Sequence, residues 1–509
     1  MGFLGIDLGT TFCCVSHINE LGQAVVVRNS EGSNTTPSVV LFNEDETYIG
    51  QTAKSQRTMF ADNIVEFIKN EMGNSSWRTY SPNGTEHTPE TISSLILRKL
   101  VDDANLLLGA NYKEVVITVP AYFDDQRRFA TQQAAELAGL NVLGLVNEPT
   151  AAALSFGVEK NFKGSLLVYD LGGGTFDVTL VDVNHSNYDV VASVGDRNLG
   201  GRDWDNELIN YLRREFKSTT GIEIPFEPED EAMLRDRAEA AKLALTQSQK
   251  TAVFLSYKGT SQKVVITRQD FERITKDLLQ RTSYIVDEVL DEANRQMSDI
   301  SKVVLVGGST RMPMVSRMLQ EEYGANVDRS VHPDEAVAIG AGIYGITLTK
   351  QNTNIDDSDS DESLWLDQTP IISDVTSHGL GTTALNDDQV MENYVLIPAQ
   401  SKIPARNSQV FFTVRDQQAQ VEIVVTVGDE SDVEYVTIIG SSVIDLPPLP
   451  VKSPIRVVFN YDIDGIVHVE VFNELNDAFL GEFPVQRQSG LSEEELDKFK
   501  DIVSKMDVQ

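Results

Sequence analysis

The chain has 509 residues, 41% of them hydrophobic, which is too long for one domain at ~100–200 residues each and apolar enough for several buried cores. Its formal net charge is −35, which sets the surface against phosphate backbones and anionic lipid and argues against general nucleic-acid or membrane binding. No run of about 18 consecutive apolar residues occurs, so no membrane-spanning helix is expected.

The start, MGFLGIDLGTT, lacks a basic n-region and an apolar h-region, which argues against a secretory signal. Ile6 stands where a myristoylation motif at Gly2 wants Ser or Thr. The adjacent Cys13 and Cys14 suit neither a disulfide framework nor a zinc site and read as small buried strand residues in a reducing compartment. From residue 1 to about 350, short apolar runs (GFLGID, EVVITVP, SLLVYDLG, KVVLVGG) alternate with helical patterns such as TISSLILRKLVDDANLLLG and RQDFERITKDLLQRTSYIVDEVLDEANRQM. That alternation predicts an α/β architecture. Five carboxylates with no base among them lie between Asp356 and Glu362, and Leu364, Trp365 and Leu366 follow. This reads as a solvated linker with an apolar patch. From about 370 to 485 the period switches to two in QVFFTVRD, QVEIVVTVGD, PIRVVFNYD and GIVHVEV, with Asp464-Gly465 as a tight hairpin. That pattern predicts a small antiparallel β domain, a sandwich. Ser492 and Glu495 form a capping box that opens a short terminal helix.

Two segments share a pattern: IDLGTTFCCV near the start and YDLGGGTFDVTL at 169–180. Each is a strand, a turn led by an acid, and a second strand, which suggests a duplicated subdomain with a site between its halves. Glycines let backbone N–H groups approach a phosphate, and Thr10, Thr11 and Thr175 add hydroxyl donors. Asp7 and Asp170 would repel phosphate unless a hard divalent cation stands between them, and Mg²⁺ takes oxygen ligands while keeping several waters. The plain alternative is a pair of glycine-rich β-turns with ordinary turn acids. Absence of GxxxxGK[ST] excludes a P-loop. Gly307 and Gly308 in VVLVGGSTRMP would let a base and ribose lie against backbone, with Arg311 stacking on the base. Glu239, Lys242 and Thr246 fall on one helical face, whose bland reading is a solvated surface.

The motifs DLGTT, VPAYF (119–123), NEPTAAAL (147–154), DLGGGTFDV, LGGRDWD (199–205), VVLVGGSTRMP and PDEAVAIGA (333–341) stand in the order of the DnaK-type heat shock protein 70 chaperone family. The resemblance runs nearly end to end, and NSSWRTYSPNGTEHTPETISSLIL looks most like the HscC-type branch. It implies an α/β actin-like two-lobed ATPase domain with a ribonuclease H-like duplicated motif over 1–350 and a linker over 351–368. An all-β sandwich that binds peptide is implied over 369–486, and the start of a helical lid, truncated, over 487–509. By resemblance, Asp7 and Asp170 hold Mg²⁺ through waters, and K⁺ accompanies ATP or ADP. Thr10, Thr11, Phe12, Gly172, Gly173, Gly174, Gly200 and Gly201 line the phosphates, Thr175 touches the γ-phosphate, and Lys69 positions the attacking water near Glu148 and Asp177. Read without the resemblance, Lys69 is an ordinary solvent lysine. Glu239, Lys242, Ser309, Arg311 and Asp334 match adenosine contacts, with Leu243 in place of an arginine.

The same resemblance makes Pro120 and Arg128 a relay between the lobes and the linker residues Leu364, Trp365, Leu366 and Asp367. It places Leu385, Phe411, Val414, Val421 and Ile423 at a peptide pocket, although plain sandwich core explains any one of them. It implies extended segments of unfolded proteins as ligands, a J-domain co-chaperone and a nucleotide exchange factor as partners, and a cytoplasmic location. Departures are Gly144 where many members carry an arginine, Arg197 and Arg202 near the phosphate loop, and an acidic loop at Asn386-Asp387-Asp388 that would favour basic, apolar peptides. Three readings stay open at this level: an ATP-driven peptide-binding chaperone, an ATP-binding interaction scaffold with weak peptide capture, and a small-molecule kinase of the same ATPase superfamily.

Overall fold

Two β-sheets of one plan make up the N-terminal part of a computed structural model that describes residues 2–44, 46–353, 369–386, 388–462, 466–484 and 490–509. In the first sheet the strands lie in the order Asn141–Asn147, Glu114–Val119, Phe3–Asp7, Phe12–Ile18, Ala24–Val27. In the second the order is Val327–Asp328, Lys302–Val306, Gly164–Leu171, Phe176–Asn184, Asn187–Asp196. In both, a central strand pairs antiparallel with its hairpin partner and parallel with a strand from much later in the chain. The central strands are buried on both faces, which is why they read as continuous apolar runs instead of alternating ones. The two DLG hairpins are therefore equivalent corners of equivalent sheets.

Between the sheets lie the helices Glu148–Lys160 and Ala336–Thr353. Their small residues Ala151, Ala152, Ala153, Ala336 and Ala341 share one apolar cluster with Phe3 and Val116 of the first sheet and Val168 and Val304 of the second. The crossing is tight at Gly340, where an added Cβ would collide with the carbonyl of Ala151. The first helical pattern forms the helix Pro89–Leu108, started by a Thr88 capping box and stopped by left-handed Gly109. The second differs from its sequence expectation. It breaks into Arg268–Ile274 and Lys276–Glu292 at Thr275, whose buried hydroxyl donates to the Phe271 carbonyl at 2.8 Å and leaves the helical conformation. Cys13 and Cys14 are buried and unpaired, as expected of strand residues.

The linker residues Leu364, Trp365, Leu366 and Asp367 lie outside the described residues, as do Asp387 and the Asp464-Gly465 turn. Beyond the linker, the runs with period two are strands of two four-stranded antiparallel sheets. These share a core of Leu380, Leu396, Val425, Val457, Phe459 and Val469. The unit's first strand, Ile371–Val375, adds in parallel to the edge strand Asn187–Asp196 of the second N-terminal sheet. The terminal helix Glu493–Lys505, with the expected Ser492–Glu495 capping box, packs Phe499, together with the preceding Leu491, against Leu137 on the first lobe's flank. After Met506 the chain forms the short strand Asp507–Val508, which pairs with Glu46–Thr47.

Gly340→Ala puts a methyl group into backbone that cannot yield, at the crossing that joins both sheets. The expected cost is about 1–3 kcal/mol, read as a drop in the denaturation midpoint of the N-terminal transition. Gly324→Ala, at a helix end with open space around it, serves as a control for backbone strain alone.

Candidate functional site

The two hairpin turns face each other across a cleft with a cavity of about 350 Å³. Asp7 ends the strand Phe3–Asp7, and Asp170 lies one residue before the end of Gly164–Leu171. Strand pairing on both sides fixes their backbones. Lining the cavity are Asp7, Thr10, Thr11, Phe12, Lys69, Glu148, Asp170, Gly172, Gly173, Thr175 and Gly201 from the phosphate-side motifs. Glu239, Lys242, Thr246, Gly307, Gly308, Ser309, Arg311 and Asp334 line it from the other end. The distant motifs thus meet in one place. Gly174 and Gly200 lie just behind the lining and pack on each other, so that a Cβ at Gly200 would enter the backbone of Gly174. Asp177 is buried beside the same turn.

Lys69 is held in a short 3-10 turn, Ile68–Glu71. It is 5% exposed, not a solvent lysine, and its ammonium pairs with Glu148, the first residue of the helix Glu148–Lys160. Burial works against the charge on Lys69, but Glu148 and Asp7 outweigh it and hold the ammonium above the usual lysine range. The acids are strained in the opposite sense. Burial, then Glu148, raises Asp7 to about 7, although Thr118 donates to its Oδ1 at 3.1 Å. Burial, Glu148 and Asp7 push Asp170 well above the carboxylate range, and burial, Glu148 and Asp170 do the same to Asp177. Asp177 Oδ1 has no hydrogen-bond partner among the described residues. Four carboxylates therefore crowd around one ammonium, which calls for another cation. Among the described residues no three His, Cys, Asp or Glu side chains form a complete metal cage. This donor set suits Mg²⁺, which is held by one or two carboxylates, phosphate oxygens and waters.

The far end of the cleft is cross-braced. Lys242 Nζ donates to the Gly201 carbonyl at 3.0 Å and pairs with Asp205 at 2.8 Å. Ser309 Oγ donates to the Gly172 carbonyl at 3.0 Å, and Arg311 pairs with Asp334 at 2.6 Å. Lys54 and Arg57 of the first lobe reach Glu239 at 2.5 Å and Asp236 at 2.7 Å across the cleft. Burial opposes the charge on Glu239, yet Lys54, Arg57 and Lys242 keep its carboxyl below the usual range.

A polar chain leaves the site on the other side. Arg128, buried, donates to the Phe123 carbonyl at 3.0 Å and to Asn147 Oδ1 at 2.5 Å. Asn147 and Thr150 both donate at 3.0 Å to Asp374, on the first strand of the β unit. Phe123 N–H in turn donates to the carbonyl of buried Pro120. Sequence reading found Pro120 and Arg128 but missed Thr118, Asn147 and Asp374. Asn147 stands beside Glu148 in a motif already singled out, whereas nothing local marks Asp374. The proposed peptide-pocket residues are spread: Ile423 is in the core, Phe411 and Val421 are half-buried, and Leu385 and Val414 are 39% and 51% exposed. Phe411 meets Tyr394 edge to face at 5.5 Å.

Fold and site together define a two-lobed α/β protein with an acid-rich cleft between its lobes, joined to a β-rich unit. A family profile described as Hsp70 protein matches residues 3–82 and 74–509, and the chain belongs to the Hsp70 family. It is similar to a chaperone protein DnaK from Thermotoga petrophila, 38% identical over 504 residues, covering 97% of this chain and 82% of that one. The namesake from Thermotoga maritima matches equally, and that from Mycoplasmopsis synoviae is 38% identical over 505 residues, covering 97% and 80%.

Because the fold raises Asp7 from its ordinary value to about 7, its contribution to stability is present at low pH and is lost as the pH rises through about 7. The metal- and nucleotide-free Asp7→Asn variant should therefore melt above the wild type at about pH 8 and close to it at about pH 4. Scanning calorimetry at the two pH values checks this, and Mg²⁺ with nucleotide should stabilise the variant much less than the wild type.

Proposed function

We propose that the chain is an ATP-driven chaperone in which the cleft binds ATP with Mg²⁺, K⁺ accompanying them, and hydrolyses ATP to ADP and phosphate. The β unit is its binding site for extended apolar segments of unfolded proteins. The family membership and the chaperones that the chain resembles support the activity. The observation that carries the site assignment is the buried Lys69–Glu148 pair between two acid-led turns. On this reading the N-terminal part is an actin-like pair of lobes and the β unit a peptide-binding sandwich.

Asp7 and Asp170 would hold the metal, whose chemistry when bound is to neutralise the phosphate chain and the crowded acids. Thr10, Thr11, Gly172, Gly173 and Gly201 present donors to the phosphates, while Gly174 and Gly200 set the distance between the turns. Lys69 is a fixed cation at the deep end, where it orients a water, and Glu148 and Asp177 supply the acceptors for the water's protons. Glu239, Lys242, Thr246, Gly307, Gly308, Ser309, Arg311 and Asp334 form the adenosine end. A kinase reading accounts for the cleft but leaves the β unit without a purpose. The acting location is the cytoplasm, in keeping with two reduced cysteines, and among the described residues no helix is long and apolar enough to cross a membrane.

Coupling follows from the chain Glu148, Asn147, Asp374. Glu148 touches Lys69, and Asn147, its neighbour, holds the first strand of the β unit. A change of charge at the deep end of the cleft is thus two residues from the inter-unit contact, the kind of element that two arrangements require. A J-domain protein and a nucleotide exchange factor are the partner classes this reading brings with it.

Lys69→Ala should reduce single-turnover hydrolysis by roughly 10²-fold or more while ATP still binds, measured by quenched flow and by titration with a fluorescent nucleotide. Hydrolysis at the wild-type rate would remove Lys69 from its assigned role. Asp374→Ala should leave hydrolysis in place but equalise the release rates of a fluorescent apolar peptide in ATP and ADP. A preserved difference would show that coupling runs elsewhere.

A further inference from the structure

A second cavity, of about 280 Å³, lies behind the catalytic end of the cleft and belongs to neither the nucleotide site nor the β unit. Asn70, Asn74, Tyr122, Arg127, Arg197 and Asn198 line it, so that both lobes contribute. Its partition from the cleft is one layer of side chains. Tyr122, buried, stands with its hydroxyl close to Thr175 of the phosphate loop. Asn70 follows Lys69 in the chain, and its amide atoms lie 2.9 and 3.0 Å from where a Cβ on Gly174 would stand. The Oδ1 of Asn70 is buried with no hydrogen-bond partner among the described residues. Phe123 is shared between the two sides: Lys69 Nζ is 5.9 Å from its ring centre and the Arg127 guanidinium 5.8 Å.

The charges in this cavity suit an anion. Asp124 is the carboxylate on its wall, and it is already engaged by the backbone N–H of Arg127 at 3.0 Å and by the Arg127 guanidinium at 3.2 Å. Arg197 is exposed at the rim and pairs with no carboxylate among the described residues. Two guanidinium groups and two or three amides around a space of this size are a donor set for a small tetrahedral oxyanion. The front of the cleft is braced by Lys54–Glu239 and Arg57–Asp236. A phosphate cleaved at the Lys69 end would have the diphosphate between itself and that brace.

We propose that this cavity is the exit vestibule for inorganic phosphate: the cleaved ion passes between Asn70 and Tyr122, is received by Arg127 and Arg197, and leaves while ADP stays in the cleft. The inference rests on the ATPase reading above and deepens it. No bond is made or broken in the step; the ion moves from the Lys69 end to the arginines.

The test is equilibrium dialysis of radiolabelled inorganic phosphate against full-length protein saturated with Mg²⁺ and a non-hydrolysable ATP analogue, which fills the γ-phosphate position. The wild type should show a single saturable phosphate site. The Arg127→Ala/Arg197→Ala variant should bind phosphate about ten-fold more weakly or worse, and Asn198→Trp, which fills the vestibule from its exposed rim, should not bind it. Each variant must hold the analogue as the wild type does, which shows that the cleft is folded. No saturable phosphate in the wild type, or the same affinity in the double variant, overturns the proposal. A phosphoserine peptide that competes as well as free phosphate would also overturn it, by making the cavity a receptor for modified side chains. Failure of the analogue to bind would overturn the nucleotide reading itself, and that result is seen separately.

Discussion

An excess of buried negative charge governs this molecule. Asp7, Glu148, Asp170 and Asp177 gather around Lys69 in a space from which solvent is largely removed. Each unpaired carboxylate in such a place costs free energy that only a proton or a cation can recover. The fold can hold them there because Asp7, Asp170 and Asp177 lead or follow hairpins locked into sheets, Glu148 starts a buried helix, and each sheet is anchored in its own core. The two halves are incomplete without a further positive charge between them. That incompleteness makes the cleft a binding site instead of a packed interface.

The same charge links the cleft to distant parts. Glu148 begins the helix that crosses Ala336–Thr353, and Asp334, which holds Arg311, stands just before that second helix. The acidic end and the Arg311 end of the site therefore hang on one tightly packed helix pair, whose approach is set by Gly340. Through Asn147 the first of these helices also carries the inter-unit hydrogen bond to Asp374. A displacement of Glu148 by a charge change in the cleft cannot be absorbed locally, because close-packed small residues leave no slack. On the proposed reading it would pass to the first lobe, through Arg128, and to the β unit.

Much of this was legible in the sequence, for identifiable reasons. Central strands buried on both faces leave continuous apolar runs, hairpin turns that approach phosphate leave glycines, and the capping box at Ser492 leaves its own spacing. These are local demands and have local signatures. The break at Thr275 was not legible, because a threonine that turns its hydroxyl onto Phe271 reads like any other helical residue until its burial is known. Asp374 was not legible for a stronger reason: its meaning lies wholly in Asn147 and Thr150, more than two hundred residues away. Lys69 was legible only by resemblance, since nothing in EFIKNEMG shows that this lysine is buried against a glutamate. The spread of Leu385, Val414 and Ile423 between surface and core likewise depends on how two sheets face each other, which alternation alone does not specify.

The contact between the N-terminal part and the β unit differs in kind from the cores on either side of it. Besides Asp374, three residues of strand pairing and Val375, which is buried in the core between the two sheets, it includes polar side chains that bridge to backbone: Ser377, whose hydroxyl donates to the Ala121 carbonyl, and two glutamines. Gln126 donates to the Ile439 carbonyl at 3.1 Å. Gln400 exchanges two bonds with Ser193, at 2.9 and 3.0 Å, and Gln133 holds the terminal segment in the same way through Leu491, at 2.7 and 3.0 Å. Each such bond is worth about 0.5–1.5 kcal/mol net, because water replaces it readily when the surfaces part. The apolar cores of the β unit and of each lobe have no such substitute. Polar bridges of this kind therefore part at less cost than a buried apolar core unfolds.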